Sequence, residues 1–129
     1  MTEVAKALYR FYSQFGIPAY TTDNIPADAE LPYITYRYVD SDFLQPLTHY
    51  AIVYMQTRNN ADLLGMAEQI KEAIGTGISL PLDNGKGFVI LHFNNAQLLS
   101  STETGGMTQY SDSDVRSVYI DMQIDTLHN

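Results

Sequence analysis

The side chains able to do chemistry in this sequence are few and scattered. Its histidines are His49, His92 and His128, and no two stand at the three- or four-residue spacing that places two imidazoles on one metal ion. Each is expected at a strand end or on the surface, not as a ligand. Ser100, His92 and Asp121 supply the residue types of a hydrolytic triad, but no Gly-x-Ser-x-Gly elbow presents the serine as a nucleophile. Asp112, Asp114, Asp121 and Asp125 could offer carboxylates to calcium. They lack the twelve-residue ligand pattern with its central glycine and closing glutamate, so a solvated acidic face is expected instead.

Glycines invite the same scrutiny. The stretch from Gly75 to Gly87 superficially suggests a phosphate loop, yet Leu80 stands where the first glycine is required and Gly87 replaces the magnesium-ligating serine or threonine. Gly75 and Gly77 follow a helical pattern where a dinucleotide fingerprint would open one after a strand. A helix cap and a hairpin turn at Asp83-Asn84-Gly85 account for the segment. No catalytic, cofactor-binding or metal-binding residue is therefore assigned, and the chain is expected not to be an enzyme.

The surrounding elements are legible from periodicity. Val4, Leu8, Phe11 and Phe15 recur at helical spacing, with Thr2 as cap and Gly16-Ile17-Pro18 as stop, predicting a helix over about Glu3 to Phe15. Ile17 to Leu31, rich in proline, aspartate and asparagine, reads as a surface loop. Tyr33 to Val39 and His49 to Arg58 carry β-branched and aromatic residues and read as neighbouring strands at the sheet's centre. A second helix starts at Asn59 or Asn60 and ends at Gly75. It sets Leu63, Met66, Ala67, Ile70, Ala73 and Ile74 against Asp62, Glu68, Gln69 and Glu72.

Phe88 to Phe93 reads as a buried strand, with Gln97 to Thr102 as a partner across an Asn94-Asn95 turn. Val115 to Ile124 is the last strand, alternating Val118, Ile120, Met122 and Ile124 with Ser117, Tyr119, Asp121 and Gln123. The predicted fold is one α+β domain over residues 1–129, with a mixed or antiparallel sheet of four to five strands and two helices packed on one face. Glu103 to Asp114, with Gly105-Gly106, buries little and is expected to order only on meeting a partner. Met107 and Tyr110 are its only large side chains and hence the expected partner-binding residues.

Composition narrows the function classes. Fifteen acidic against seven basic residues give a formal charge of −8, which opposes the counterion release that drives nucleic-acid binding. The basic residues are spread along the chain and form no polybasic patch. The absence of cysteine excludes disulfides, thiolate metal sites and cysteine nucleophiles. No export signal is visible at the charged N-terminus, and no apolar run approaches the roughly 20 residues that span a bilayer, so synthesis in the cytoplasm is expected. Ten tyrosines and no tryptophan fit either strand propensity or an interaction surface.

The order of elements, with Phe15-Gly16-Ile17-Pro18, Leu31-Pro32-Tyr33-Ile34-Thr35-Tyr36, and Val53 to Arg58 running into Asn59-Asn60-Ala61-Asp62, resembles the tail terminator or tail completion proteins of long-tailed bacteriophages, including those grouped as minor capsid proteins. The final strand, Arg116 to Ile124, completes the resemblance. It implies a virion tail subunit, made in the host cytoplasm, that forms a homo-oligomeric ring, commonly a hexamer. Such a ring caps the tail tube and joins it to the head connector. A hexamer would carry 6 × −8 = −48 charges, an acidic wall past which DNA travels without sticking. Two alternatives stand beside it: a head-closure or other minor capsid protein recruited to the portal, and a small-molecule-binding domain with a tyrosine-lined pocket.

Overall fold

The computed structural model describes residues 3–37, 47–57, 60–82, 85, 87–99 and 115–128. Helix α1 (Glu3–Tyr12) continues into a 3-10 turn at Ser13–Phe15 and stops at Gly16, whose φ of 82° is left-handed backbone that suits a residue without a side chain. Strands β1 (Ala19–Thr21), β2 (Tyr33–Tyr36) and β3 (Leu47–Gln56) follow. After them come helix α2 (Asn60–Ile74) and strands β4 (Ile78–Pro81), β5 (Gly87–Leu99) and β6 (Val115–His128).

The class is α+β as expected, but the sheet has six strands, not four to five, in the order β1-β2-β3-β6-β5-β4, and it curls into a half-barrel. It is mixed, since β1 lies parallel to β2 while the other neighbours are antiparallel. Both additional strands are short edge strands. β1 lies inside the stretch expected to be a loop, and β4 lies in the turn-rich stretch before Gly87. Three or four residues leave too little alternation to stand out beside prolines. The centre is β3 and β6, because β6 inserts beside β3 and moves β2 toward the edge.

A second correction concerns Asn94-Asn95. β5 runs straight through it to Leu99, with a register shift between Phe93 and Asn95 where a turn to a new strand was expected. A β-bulge absorbs the extra residue in place. The hairpin expected near Asp83-Asn84-Gly85 does join β4 to β5: Leu82 N–H donates to the Gly87 carbonyl at 3.0 Å, and Gly85 N–H to that of Leu82 at 3.0 Å.

Strand side chains alternate between the two faces, so the shared core fixes where the helices lie. Ala51 and Val53 of β3, Val89 and Leu91 of β5, and Val118, Ile120, Met122 and Ile124 of β6 form one buried cluster. From α1 it takes Val4, Leu8 and Phe11, and from α2 Leu63, Ala67, Ile70 and Ile74. Both helices therefore cover the same face, as expected. Among the described residues no helix is long and apolar enough to cross a membrane.

Candidate functional site

A fully buried polar pair sits under the end of α1. Tyr12, the helix's last residue, is fully buried and stacks on Tyr36 of β2, with ring centroids 4.5 Å apart and planes at 22°. Its hydroxyl lies 2.9 Å from His49 Nε2 and 3.7 Å from Met122 Sδ. His49 is fully buried on β3, opposite Met122 of β6. Burial, with a smaller push from the Arg37 charge, lowers its pKa to about 3, so the ring is neutral at pH 7. Burial also holds the Tyr12 hydroxyl well above its ordinary range, and that of Tyr36 is pushed up to about 12.

His49 Nδ1 is buried without a hydrogen-bond partner among the described residues, and this selects the tautomer. A proton on Nδ1 would be a buried donor with nothing to receive it. With the proton on Nε2, the ring donates to the Tyr12 oxygen, the hydroxyl turns to the Met122 sulfur, and only a lone pair is left over. His49 thus stands near the start of β3, in keeping with the strand-end placement expected, but it is buried and not on the surface. Strand parity would have placed it, because positions 49, 51 and 53 share the buried face.

The remaining chemical candidates do not converge. His92 Nε2 lies 3.4 Å from Asp125 Oδ2, whereas Asp121 receives the Asn94 amide at 3.4 Å. The imidazole of the supposed triad thus has a different carboxylate as its neighbour. Ser100, Asp112 and Asp114 lie outside the described residues, as do the expected partner-binding residues Met107 and Tyr110. Among the described residues no three histidine, aspartate or glutamate side chains gather as a metal ion would need.

Two surfaces show more organisation. On the sheet face away from the helices, Tyr20 packs edge-on to Tyr33 at 5.8 Å, Tyr33 on Tyr54 at 5.3 Å, and Tyr50 stacks on Tyr119 at 5.5 Å. Tyr50, Tyr54 and Tyr119 are half-buried. Burial raises the pKa of Tyr54, and raises that of Tyr119 with help from nearby Asp121 and Tyr50, keeping both hydroxyls protonated donors. Beside them the Arg37 guanidinium donates to the Thr48 carbonyl.

The second surface lies where α2 meets β5. A cleft of about 380 Å³ is lined by Leu64, Ala67, Glu68, Lys71, Phe93 and Ala96, with Lys71 Nζ 5.8 Å from the centre of the Phe93 ring. None of the described residues that line it is a tyrosine. Leu64 and Leu98 nearby are 46% and 43% exposed. β4 pairs only with Phe88 to Leu91, so from His92 to Leu99 β5 is bonded to β6 on one side and to no described strand on the other.

No protein family matches this sequence, and no curated protein matches it.

Proposed function

We propose that this chain is a non-enzymatic structural subunit of a bacteriophage or prophage tail, of the terminator kind, which assembles with its own copies into a ring capping the tail tube and meeting the head connector. The reading rests on the resemblance in element order. The observation that carries it further is the tyrosine-lined sheet face. Tyr50 and Tyr119, stacked and half-buried, with half-buried Tyr54 on the same face, give a surface that is apolar in the middle of each ring and hydrogen-bonding at its tip, which suits protein contact.

The chemistry of the described residues agrees with that role. The one strongly perturbed histidine is sealed inside the core, where it stabilises packing and meets no substrate. An acidic ring would repel DNA phosphates from its wall, so DNA would pass through the opening unheld. The reading frames that flank this gene test the proposal. A major tail protein encoded immediately downstream is the expected arrangement, and a setting among metabolic genes with no virion proteins nearby would contradict it.

A further inference from the structure

The edge of β5 is built differently from the protected edges of soluble sheets. Exposed strands usually carry lysine, proline or a strand too short to pair, because a bare row of N–H and C=O groups recruits other chains. Between Gly87 and Leu99 there is no Asp, Glu, Lys, Arg or Pro. The bulge at Phe93 to Asn95 bends this edge but leaves His92 to Leu99 extended and, among the described residues, unpaired on one side. Beside it lies the α2–β5 cleft, whose Phe93 and Ala96 belong to the strand and whose Leu64 and Ala67 belong to the helix. Phe93, Ala96 and Leu98 pair with Met122, Ile120 and Val118, so they sit on the helix side of the sheet. A strand added to this edge would send alternate side chains toward the cleft.

We infer that the free edge of β5, His92 to Leu99, together with the α2–β5 cleft, is where a second copy of this chain docks an extended segment by strand addition. The inference rests on the self-assembly proposed above. Charge selects the occupant. Each copy carries −8, so two copies approach most easily where the strand itself is uncharged; His92 to Leu99 has no Asp, Glu, Lys or Arg, and the β6 carboxylates beside it, Asp121 and Asp125, lie against Asn94 and His92. In the cleft Glu68 and Lys71 both line the wall, so the one acidic group among the described lining residues has a basic neighbour. A basic protein would find no carboxylate on the strand itself, and a nucleic acid would find Lys71 as the one lysine or arginine among the described residues of the cleft. The exposed Leu64 and Leu98 side chains give the joint an apolar centre.

The test compares three forms of the full chain by sedimentation over a concentration series. Wild type should associate. Ala96→Lys with Leu98→Lys places two lysines along the edge and should weaken association by roughly tenfold or more, leaving the thermal unfolding of the dilute protein unchanged. Gln69→Lys with Thr76→Lys adds the same charge at exposed positions away from the edge and should associate as wild type does. Hydrogen exchange on unaltered protein provides a second reading that needs no variant to fold: amides between His92 and Leu99 should slow as association proceeds. Edge-lysine protein that associates like wild type, or amides that exchange equally fast in monomer and oligomer, would overturn the docking site while leaving self-assembly standing. Wild type that stays monomeric at every concentration would overturn both.

Discussion

The two helices share one face of the sheet yet are seated differently. α1 has ten residues and buries six of them, including both aromatic residues at its end, Phe11 and Tyr12. α2 has fifteen and buries four, all aliphatic. α1 is sunk into the sheet and closes over a buried polar pair, Tyr12 and His49. α2 rests on the sheet along a narrow stripe, leaving Leu64 exposed above the cleft beside β5. The α1 end thus holds the interior together, and the α2 end keeps apolar surface in reach of another molecule. A domain that must both fold alone and assemble needs this division, because surface spent on the core is lost to the partner.

The largest effect expected is on the buried stripe of α2. Ile70→Asp puts an unpaired charge at a fully buried position and should cost about 4 kcal/mol or more, leaving no cooperative unfolding transition by circular dichroism. A soluble, cooperatively melting variant would mean the buried stripe of α2 contributes less than supposed.

The α1 end should be the acid-sensitive one. His49 titrates near 6.5 when unfolded and about 3 when folded, so unfolding takes up a proton between those values. Its contribution is complete above pH 6.5 and lost as pH falls toward 3. The loss is on the order of several kcal/mol from this group alone. Denaturant titrations at pH 7, 5 and 4 should show the decline, and His49→Gln should make it shallower while lowering stability at pH 7. An equally steep decline in the variant would assign the acid sensitivity to carboxylates elsewhere.

A matched pair of truncations sharpens the contrast between the helices. Leu8→Ala in α1 should cost about 2 to 5 kcal/mol, as removal of a fully buried leucine does. Leu64→Ala in α2 should stay within about 0.5 kcal/mol, because Leu64 is 46% exposed. Equal costs would erase the distinction. The smallest effect belongs to His92→Gln, which removes a half-exposed ring beside Asp125 and should leave stability and metal content unchanged. Stoichiometric zinc present in wild type and lost in this variant would reveal a ligand set not recognised in the sequence.

Long elements with a clear period were readable before the structure. The α2 stripe shows this best, with Leu63, Ala67, Ile70 and Ile74 buried at the positions the 3.6-residue period selects. β1 and β4 were not legible, since Ala19–Thr21 and Ile78–Pro81 gain their strand geometry from longer neighbours, β2 and β5, and have little pattern of their own. Asn94-Asn95 misled because asparagines that suit a turn also suit a bulge, and only the facing β6 decides between them. Of the candidate site, the tyrosine-rich strands were visible as composition. The pairing of Tyr50 with Tyr119 depends on β6 lying next to β3, a contact between residues far apart in sequence. Met107 and Tyr110 lie outside the described residues.

The claim on which the functional account depends is self-assembly into a closed ring, and the mass of the purified protein in solution tests it most directly. The chain is 14.5 kDa, so a hexameric ring weighs 6 × 14.5 = 87 kDa. Sedimentation equilibrium or native mass spectrometry should find the monomer giving way, as concentration rises, to one closed species near that mass, without a ladder of larger assemblies. A 14.5 kDa monomer at every concentration, or open-ended growth with no preferred size, would contradict the account.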